Sequence, residues 1–335
     1  MFKRKEQPII SEFHDQEGLE RAIQDIGVSV SAASELAELG RYSLQLETAD
    51  EDTVASGTFS KIGGIPDLPV GVNWPIRPSF PTLDEEAPKS LLKRVISRLM
   101  HTKAIERDLS YRNSPQPYSF IAQISFSEMA TIQKHGLDLP DCGALYVFYD
   151  VLYGGWGDNP TDSIGFKVIY VPDIERVARA QSPEFFDETP TFEEKFVQPI
   201  VRFEHCPSQG IHFEALSLSE EDKKTYEEFD YLVPETNDRS GHKVMGWPDI
   251  IQTPMEEECA LVTSGKYCGD AKGYSSPESE RILSQPNEWI LLLQIDSDDA
   301  VGMEWGDSGV LYLWIKRSDL RNRHFEDTWL ILQCC

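Results

Sequence analysis

Three short motifs occur twice in this chain of 335 residues, and both sets keep the same order. The shared patterns are Lys-x-x-Gly-x-Pro-Asp, an apolar segment ending in Gln-Ile, and Asp-x-Gly-x-Leu-Tyr. The first pattern occupies residues 61–67 and again 243–249. The second occupies 120–124 and 291–295, and the third occupies 141–146 and 307–312. One match of this kind arises by chance, but three in register predict an internal duplication.

Between these motifs the sequence predicts strand after strand and few helices. The predicted strands are residues 42–47, 118–124, 144–149, 166–171, 289–295, 310–315 and 329–333. Because strands that follow one another without long helical crossovers pair antiparallel, we predict an α+β fold with mainly antiparallel sheets. The two duplicated halves should be related by an approximate two-fold axis and pack as one compact body around a shared core.

The motifs also set the expected boundaries of the domain. Residues 1–57 are predicted to be an N-terminal helical segment followed by the first strand, and Ser31 is the expected cap of the second helix. The first repeated half spans 58–215 and the second spans 216–335. Together the halves form one domain over residues 58–335.

One segment of the first half, residues 84–117, has no counterpart in the second half and is predicted to be an insertion. Within it, residues 90–108 carry apolar side chains at helical spacing with lysines and arginines on the other face. This pattern predicts a basic amphipathic helix. The helix either pairs with the protein's own acidic face or docks on a partner or a membrane surface.

Three further local predictions concern caps, loops and buried amides. Ser219 is expected to cap a helix over residues 220–229. Residues 263–287 are rich in Gly, Ser and Pro and are expected to form a long loop. Gln123 and Gln294 occupy the same place in two apolar strands, and buried amides need partners. We expect them to bond across the two-fold axis or to the Gly-Pro loops.

The formal net charge is −26, from 57 acidic and 31 basic side chains. Such a charge repels nucleic acid and anionic membranes, because binding either requires cationic groups that neutralise phosphate. It attracts a basic partner and speeds the encounter with it. The simpler interpretation is that the acidity only serves solubility.

The sequence also predicts the compartment. It has no stretch of about 18 uncharged apolar residues that could span a membrane, and its charged start does not lead into an apolar signal core. The six scattered cysteines do not form a disulfide framework. The neighbouring Cys334 and Cys335 are interpreted as reduced thiols that end a strand, with a redox pair or a soft-metal ligand as the alternative. We expect a soluble, cytoplasmic protein.

The Gly-Gly-Ile-Pro-Asp-Leu-Pro run before Trp74 and the Gly-Trp-Pro motif after His242 resemble the YwqG-like family of bacterial proteins, also called the DUF1963 domain. The resemblance covers roughly residues 58–335 and is most specific over 289–334, whereas 90–108 departs from the family pattern. It implies an α+β fold with internal duplication, a cytoplasmic location and no established enzymatic activity. Relatives in this family have been proposed as immunity or accessory proteins of bacterial toxin systems.

Carboxylates cluster directly after the predicted strand 289–295. Such a cluster at a strand end can hold a hard cation, and Asp296 to Asp307 has the length of a calcium-binding EF-hand loop. Ala300 and Val301 break that pattern, so the alternative is a solvated acidic turn whose aspartates bond backbone amides. The candidate residues are Asp296, Asp298, Asp299, Glu304 and Asp307.

Two Trp-Gly-Asp turns and two lysines are further candidates for binding. The turns are expected to be structural, with a ligand-binding lip as the alternative. The lysines occupy equivalent Gly-Pro loops, where they either lie exposed to solvent or face one anionic ligand. The candidate residues are Trp156, Asp158, Trp305, Lys61, Lys243 and His242.

The sequence does not contain a recognisable catalytic constellation. His205, Cys206 and His212 lack the paired cysteines of a zinc site. Phosphate loops, nucleophile elbows and dinucleotide-binding fingerprints are also absent from the sequence. We therefore expect no cofactor and no bound metal, and we regard an enzyme as the weaker hypothesis.

The leading hypothesis is a non-enzymatic cytoplasmic binding protein, an immunity protein that neutralises a basic bacterial toxin through acidic residues. The expected contact residues lie at 219–230, at 256–258 and at 296–299. The alternative is a small-ligand or metal-binding enzyme with a cleft between the two halves, lined by the Gly-Pro loops and the Trp-Gly-Asp turns. A third hypothesis is a scaffold that docks through residues 90–108.

Overall fold

The computed structural model describes residues 13–80, 110–130, 136–185, 189–233 and 241–335. The strands in these ranges are β1 (Arg41–Thr48), β2 (Lys61–Ile62), β3 (Asp67–Pro69), β4 (Ile76–Arg77), β5 (Gln116–Pro117), β6 (Ser119–Ser125), β7 (Ala144–Tyr149), β8 (Phe166–Val171), β9 (Val177–Arg179), β10 (Lys195–Glu204), β11 (Lys243–Met245), β12 (Trp289–Asp296), β13 (Val310–Lys316) and β14 (Trp329–Gln333).

The described helices are short and are distributed between the strands. The α-helices are α1 (Gln16–Asp25), α2 (Val30–Glu38), α3 (Glu51–Ala55), α4 (Phe126–Ala130), α5 (Ile211–Glu214), α6 (Glu220–Leu232), α7 (Glu256–Val262), α8 (Ala271–Tyr274), α9 (Pro277–Leu283) and α10 (Arg317–Asn322). Two 3₁₀ helices, η1 (Pro160–Ile164) and η2 (Phe325–Asp327), follow strands β7 and β13 in the chain.

Ten strands form one large sheet in the order β14-β13-β12-β11-β1-β10-β2-β6-β7-β8. Every neighbouring pair in this sheet is antiparallel. The central strands β1 and β10 are flanked on each side by the strand of a Lys-Gly-Pro-Asp motif, then the Gln-Ile strand, then the Leu-Tyr strand. The arrangement confirms the prediction of an α+β fold with a mainly antiparallel sheet.

The matched strands also share an irregularity. The register of β6 against β7 shifts between Phe120 and Ala122, and that of β12 against β13 shifts between Leu291 and Leu293. These positions correspond in the two Gln-Ile motifs. Because a bulge increases the local twist of a strand pair, both pairs twist at the same point of the motif.

The N-terminal helices α1 and α2 pack together and add a second apolar core. Asp15 caps α1 by accepting a hydrogen bond from a backbone amide, and Ser29 caps α2 in the same way. The predicted cap, Ser31, is wrong, since this residue lies inside the first turn of α2. The second core joins Leu36 of α2 to the buried face of α6 and to Trp247.

The large sheet curls until its two edge strands approach each other. Trp329 of β14 lies edge-on to Phe166 of β8, with ring centroids 5.9 Å apart. Phe325 of η2 packs on Tyr170 of β8 with a centroid separation of 4.7 Å. The main core therefore draws buried residues from both edges of the sheet.

Two predictions for the second half have opposite outcomes. The helix after Ser219 is confirmed as α6, with the Asp222 amide donating to the Ser219 hydroxyl at 3.1 Å. The long loop predicted over 263–287 is wrong, because this segment contains α8 and α9. Asp270 and Ser276 cap these helices, so the Gly, Ser and Pro residues mark the ends of short helices here.

The basic helix predicted over residues 90–108 lies outside the described residues, as does most of the insertion 84–117. Among the residues that the structure does describe, no helix is long and apolar enough to cross a membrane.

Candidate functional site

A buried lysine anchors the Gly-Pro loop of the first half. The Lys61 ammonium lies 2.7 Å from the Asp67 carboxylate and 3.0 Å from that of Glu194. The Gln123 side chain accepts from the Asp67 amide at 2.8 Å and donates to the Asp67 carboxylate at 3.1 Å. The Tyr146 hydroxyl donates to the Asp67 carbonyl at 2.7 Å. Asp67 is therefore fixed through its amide, its carbonyl and its carboxylate.

The second half contains the same network around Lys243. The ammonium lies 2.8 Å from Asp249 and 3.3 Å from Glu204. Gln294 accepts from the Asp249 amide at 3.0 Å and donates to its carboxylate at 2.5 Å, and the Tyr312 hydroxyl donates to the Asp249 carbonyl. Burial works to lower the pKa of Lys243, but the two carboxylates outweigh burial and raise it. The lysine is a charged structural anchor.

The two networks differ in how the second carboxylate is supplied. Gln45 of β1 pairs with Lys243, as Phe196 of β10 pairs with Lys61. Ser43 and Glu194 each lie two residues before the paired residue, so Ser43 holds the position in the second half that Glu194 holds in the first. The Ser43 hydroxyl donates to the Glu204 carboxylate at 2.6 Å. Glu204 reaches the lysine from the neighbouring strand, and the serine helps to hold it there.

These networks correct the expectation that the loop lysines are exposed. Lys61 is completely buried, and Lys243 is 3% exposed. Each ammonium is neutralised by carboxylates of the chain itself, which leaves little attraction for an anionic ligand. The glutamines bond to the Gly-Pro loops, which was one of the two predicted alternatives.

His242 links the acidic turn after β12 to the centre of the sheet. Its Nδ1 accepts a hydrogen bond from the Asp296 amide at 3.0 Å, so the proton is assigned to Nε2. Nε2 lies 3.1 Å from the Asp298 carboxylate, which also pairs with Lys195. The hydrogen bond from His242 and the pairing with Lys195 hold the pKa of Asp298 well below its usual range.

The remaining residues of this turn divide between the core and the solvent. Trp305 is 1% exposed, and its indole donates to the Asp296 carbonyl at 3.0 Å. Asp299, Glu304 and Asp307 are exposed. The Asp298 carboxylate also accepts from the Ala300 amide at 2.9 Å, as expected for a structural acidic turn.

The two Trp-Gly-Asp turns lie close together where the sheet curls. A side chain on Gly306 would lie 3.8 Å from the ring of Trp156, which is itself 51% exposed. The Trp156 carbonyl accepts from Leu332 of β14 at 3.0 Å. The Asp158 carbonyl accepts from the Cys268 amide at 2.7 Å, so this turn bridges the first half to the segment before α8.

A cluster of buried acidic groups next to Asp158 was not predicted from the sequence. Burial, together with repulsion from Asp158, raises the pKa of Glu258 on α7 to about 7. Burial also raises the pKa of Asp158. The sequence around Glu258 is three consecutive glutamates, and only the helical phase of α7 distinguishes its buried members from the exposed Glu257.

The buried thiols are unsuited to nucleophilic chemistry. Burial raises the pKa of Cys206 to about 12 and that of Cys268 to about 11, and it raises the pKa of Cys259 well above its ordinary value. Since the thiolate is the nucleophile, these three side chains stay protonated and unreactive at neutral pH.

Two of the cavities on the described surface have lining residues that bear on function. The smaller, about 260 Å³, is lined by the first Gly-Pro loop at Gly64 and by aromatic rings that include Trp74 and Phe192. The larger, about 640 Å³, lies between the edges of the curled sheet and is called the seam groove here. Its lining includes Phe166, Trp289, Lys316, Asp319, Asp327 and Trp329. Neither cavity is lined by a Trp-Gly-Asp turn.

A possible ligand set for a cation lies at the rim of the seam groove and was also missed by sequence reasoning. One donor atom from each of Asp319, His324 and Asp327 lies within 4.8 Å of the other two. The spacing Asp-x₄-His-x₂-Asp does not correspond to the zinc-ligand or EF-hand spacings considered for this sequence. Only the fold of α10 against η2 brings these side chains together.

Comparison with known proteins supports the family assignment made from the motifs. Residues 60–334 match the family described as Domain of unknown function (DUF1963). A search of curated proteins found no match to this chain. The family match covers most of the sequence and confirms the resemblance that the Gly-Gly-Ile-Pro-Asp-Leu-Pro run and the Gly-Trp-Pro motif indicated. The chain belongs to the DUF1963 family.

Proposed function

We propose that this protein acts by binding a basic protein partner and that α6 presents the binding face. One face of α6 is buried through Tyr226 and Phe229. The opposite face exposes four glutamates and a tyrosine that is 84% exposed, with one lysine, Lys224, between them. The glutamates and the tyrosine are Glu220, Glu221, Glu227, Glu228 and Tyr231. This exposed acidic face with an aromatic side chain at its end is the observation that carries the proposal.

The electrostatics favour a basic partner. The net charge of −26 attracts cationic surfaces over the distance of a Debye length, about 8 Å at physiological salt. The carboxylates on the exposed face of α6 make no ion pair within the described residues. They are therefore available to a partner.

Other acidic segments contribute less to such a surface. Glu256 is 3% exposed and Glu258 is 9% exposed, so neither can contact a partner directly. Asp298 is already bonded to Lys195 and His242. In the segments 256–258 and 296–299, Glu257 and Asp299 are exposed, but both lie far from α6 along the chain.

Within this proposal the protein is a cytoplasmic immunity protein that neutralises a basic bacterial toxin. The support is the family association together with the acidic surface. The protonated thiols of Cys206, Cys259 and Cys268 favour binding over nucleophilic catalysis. The domain would consist of two halves that arose by internal duplication. Support for that origin is the mirrored strand order, the matched bulges and the two Lys-Asp-Gln networks.

The direct test of the immunity role is co-expression with each basic, growth-arresting protein encoded by the genes next to this one. The wild-type protein should restore growth, and a variant with Gln at 220, 221, 227 and 228 should fail to do so. The matched control removes exposed charges elsewhere through Asp299→Asn, Glu304→Gln and Asp307→Asn and should protect like the wild type. Failure of the wild type to protect, or equal protection by both variants, would reject the proposal.

A second candidate function is a small-ligand or metal-binding enzyme that uses the seam groove. The groove takes lining residues from both halves, including Phe166 from the first and Trp289 and Trp329 from the second. Indole rings beside Lys316 and the carboxylates suit a ligand with a planar ring and a charged group. A compound that raises the melting temperature of the wild type and not of Trp289→Leu would support this function. Ligands that act equally on both proteins would exclude the groove.

A further inference from the structure

The side chains of Asp319, His324 and Asp327 converge at the rim of the seam groove. A donor atom from each lies within 4.8 Å of the other two. In a tetrahedral site with bonds of about 2.1 Å, ligand atoms are about 3.4 Å apart. Small side-chain rotations would therefore bring these atoms to coordination distance.

The main chain fixes this approach. Helix α10 ends at Asn322, and Arg323 adopts a left-handed conformation with φ of 65°. The chain thereby turns back, and the His324 amide donates to the Asp319 carbonyl at 2.9 Å. The Asp327 amide in turn donates to the His324 carbonyl at 3.2 Å. The geometry is set by backbone bonds, so the side chains are free to bind something else.

The three side chains have no partner of their own among the described residues. Neither a side-chain hydrogen bond nor an ion pair joins Asp319, His324 or Asp327 to the parts of the chain described by the structure. A partly desolvated carboxylate held next to a second carboxylate is stabilised by a cation.

The position in the fold leaves room for a further ligand. Asp319 and Asp327 line the seam groove, so an ion held by them would face a cavity of about 640 Å³. The rings of Trp289 and Trp329 lie in the same groove. Three protein ligands with one side open to a cavity is the arrangement of zinc sites that accept a fourth, exchangeable ligand.

We propose that Asp319, His324 and Asp327 bind one divalent transition-metal ion, with Zn²⁺ as the best match. The imidazole nitrogen favours zinc over calcium and magnesium, which prefer oxygen ligands alone. Coordination would tie α10 to η2, the two elements beside the edge of the curled sheet. This site is separate from the acidic face of α6, so either proposal can fail without the other.

Isothermal titration of the purified full-length protein with ZnCl₂ tests the site. We expect one ion per chain, and more than about tenfold weaker binding in His324→Ala and in Asp327→Asn. Melting of the metal-free variants should match the wild type, because both side chains are exposed. The same titration of Asp319→Asn should show the same loss of affinity.

Two controls separate this site from other zinc ligands of the chain. Asp307→Asn removes an exposed carboxylate elsewhere, and Cys335→Ser removes an exposed thiol at the C-terminus. Both should bind Zn²⁺ with wild-type affinity. No binding by the wild type at 100-fold excess of zinc, unchanged affinity in His324→Ala, or loss of binding in Cys335→Ser would each overturn the assignment.

Discussion

Gln123 and Gln294 make the same three hydrogen bonds in the two halves of the sheet. Each accepts from the amide of the aspartate in its Gly-Pro loop and donates to that aspartate's carboxylate. Each also donates to a main-chain carbonyl two residues before the motif lysine, that of Phe59 or Gly241. The amide therefore joins three segments of chain in each half.

Replacement of either glutamine should destabilise the protein by a similar amount. Gln123→Leu and Gln294→Leu each remove the side-chain partner of a buried aspartate amide and one hydrogen bond to a carboxylate that keeps its lysine, at a cost of about 1–3 kcal/mol each. Four strands of the sheet lie between the two sites, so the effects should add in the double variant. Urea denaturation gives the free energies of unfolding. If only one of the two single variants were less stable than the wild type, the two networks would not be equivalent.

Glycine is required at position 246 for two reasons. Its φ is +83°, and a Cβ there would overlap the Glu204 carboxylate and Ser43. Gly302 has a similar φ of +76°, but a Cβ there would meet open space. Gly302→Ala should therefore lower the free energy of unfolding by about 1 kcal/mol, through backbone strain alone. Gly246→Ala should lower it by about 1–3 kcal/mol more, because the new methyl group also overlaps its neighbours. Equal melting temperatures for the two variants would contradict the packing of Glu204 against this loop.

Glu258 should make the stability fall as the pH rises. Its pKa is raised to about 7 in the folded protein from 4.5, so folding favours the protonated form. The folded state then binds more protons between these values, so up to about 3 kcal/mol of stability is lost as the pH rises from about 4.5 to about 7. Glu258→Gln should remove this part of the pH dependence, whereas Glu257→Gln, at the exposed neighbour, should keep it. Parallel pH profiles for both variants would be inconsistent with a buried acid at 258.

The ionised Asp298 carboxylate should stabilise the folded protein, and this stabilisation should be lost as the pH falls. Because its folded pKa lies below the ordinary value, its contribution is complete above about pH 4 and is lost as the pH falls further. Asp298→Asn should cost about 1–3 kcal/mol at pH 7, and the difference from wild type should shrink in acid. The exposed neighbour Asp299 provides the control through Asp299→Asn. A constant difference across the acid range would rule out the bonds to His242 and Lys195 as the cause.

Sequence patterns predicted the apolar strands well because their apolar runs are long and end at Gly, Pro or charged residues, but they missed most of β10, in which Gln, Pro and Arg interrupt the apolar run. β7, β8 and β14 have the predicted bounds. The same reasoning misplaced Lys61 and Lys243, since burial of a lysine depends on carboxylates from distant strands such as Glu194 and Glu204. Short helices α8 and α9 were missed because each is too short for a periodic pattern.

The candidate sites were harder to predict than the fold. His242 and Asp298 lie 56 positions apart, and only the pairing of β11 with β12 brings them together. The Asp319, His324 and Asp327 set depends on one left-handed residue, Arg323, which no spacing rule would reveal. Sites of this kind depend on long-range pairing and on local turns, and a single sequence specifies neither directly.

We propose that the acidic face of α6 captures a basic protein. The most direct test is the association rate constant of the purified protein with the basic toxin identified by the co-expression test, measured by stopped flow at 50 and 300 mM NaCl. We predict a rate that falls more than about tenfold with this rise in salt, and a slower, less salt-dependent rate for the variant with Gln at 220, 221, 227 and 228. A salt-independent rate, or an unchanged rate in that variant, would contradict the account.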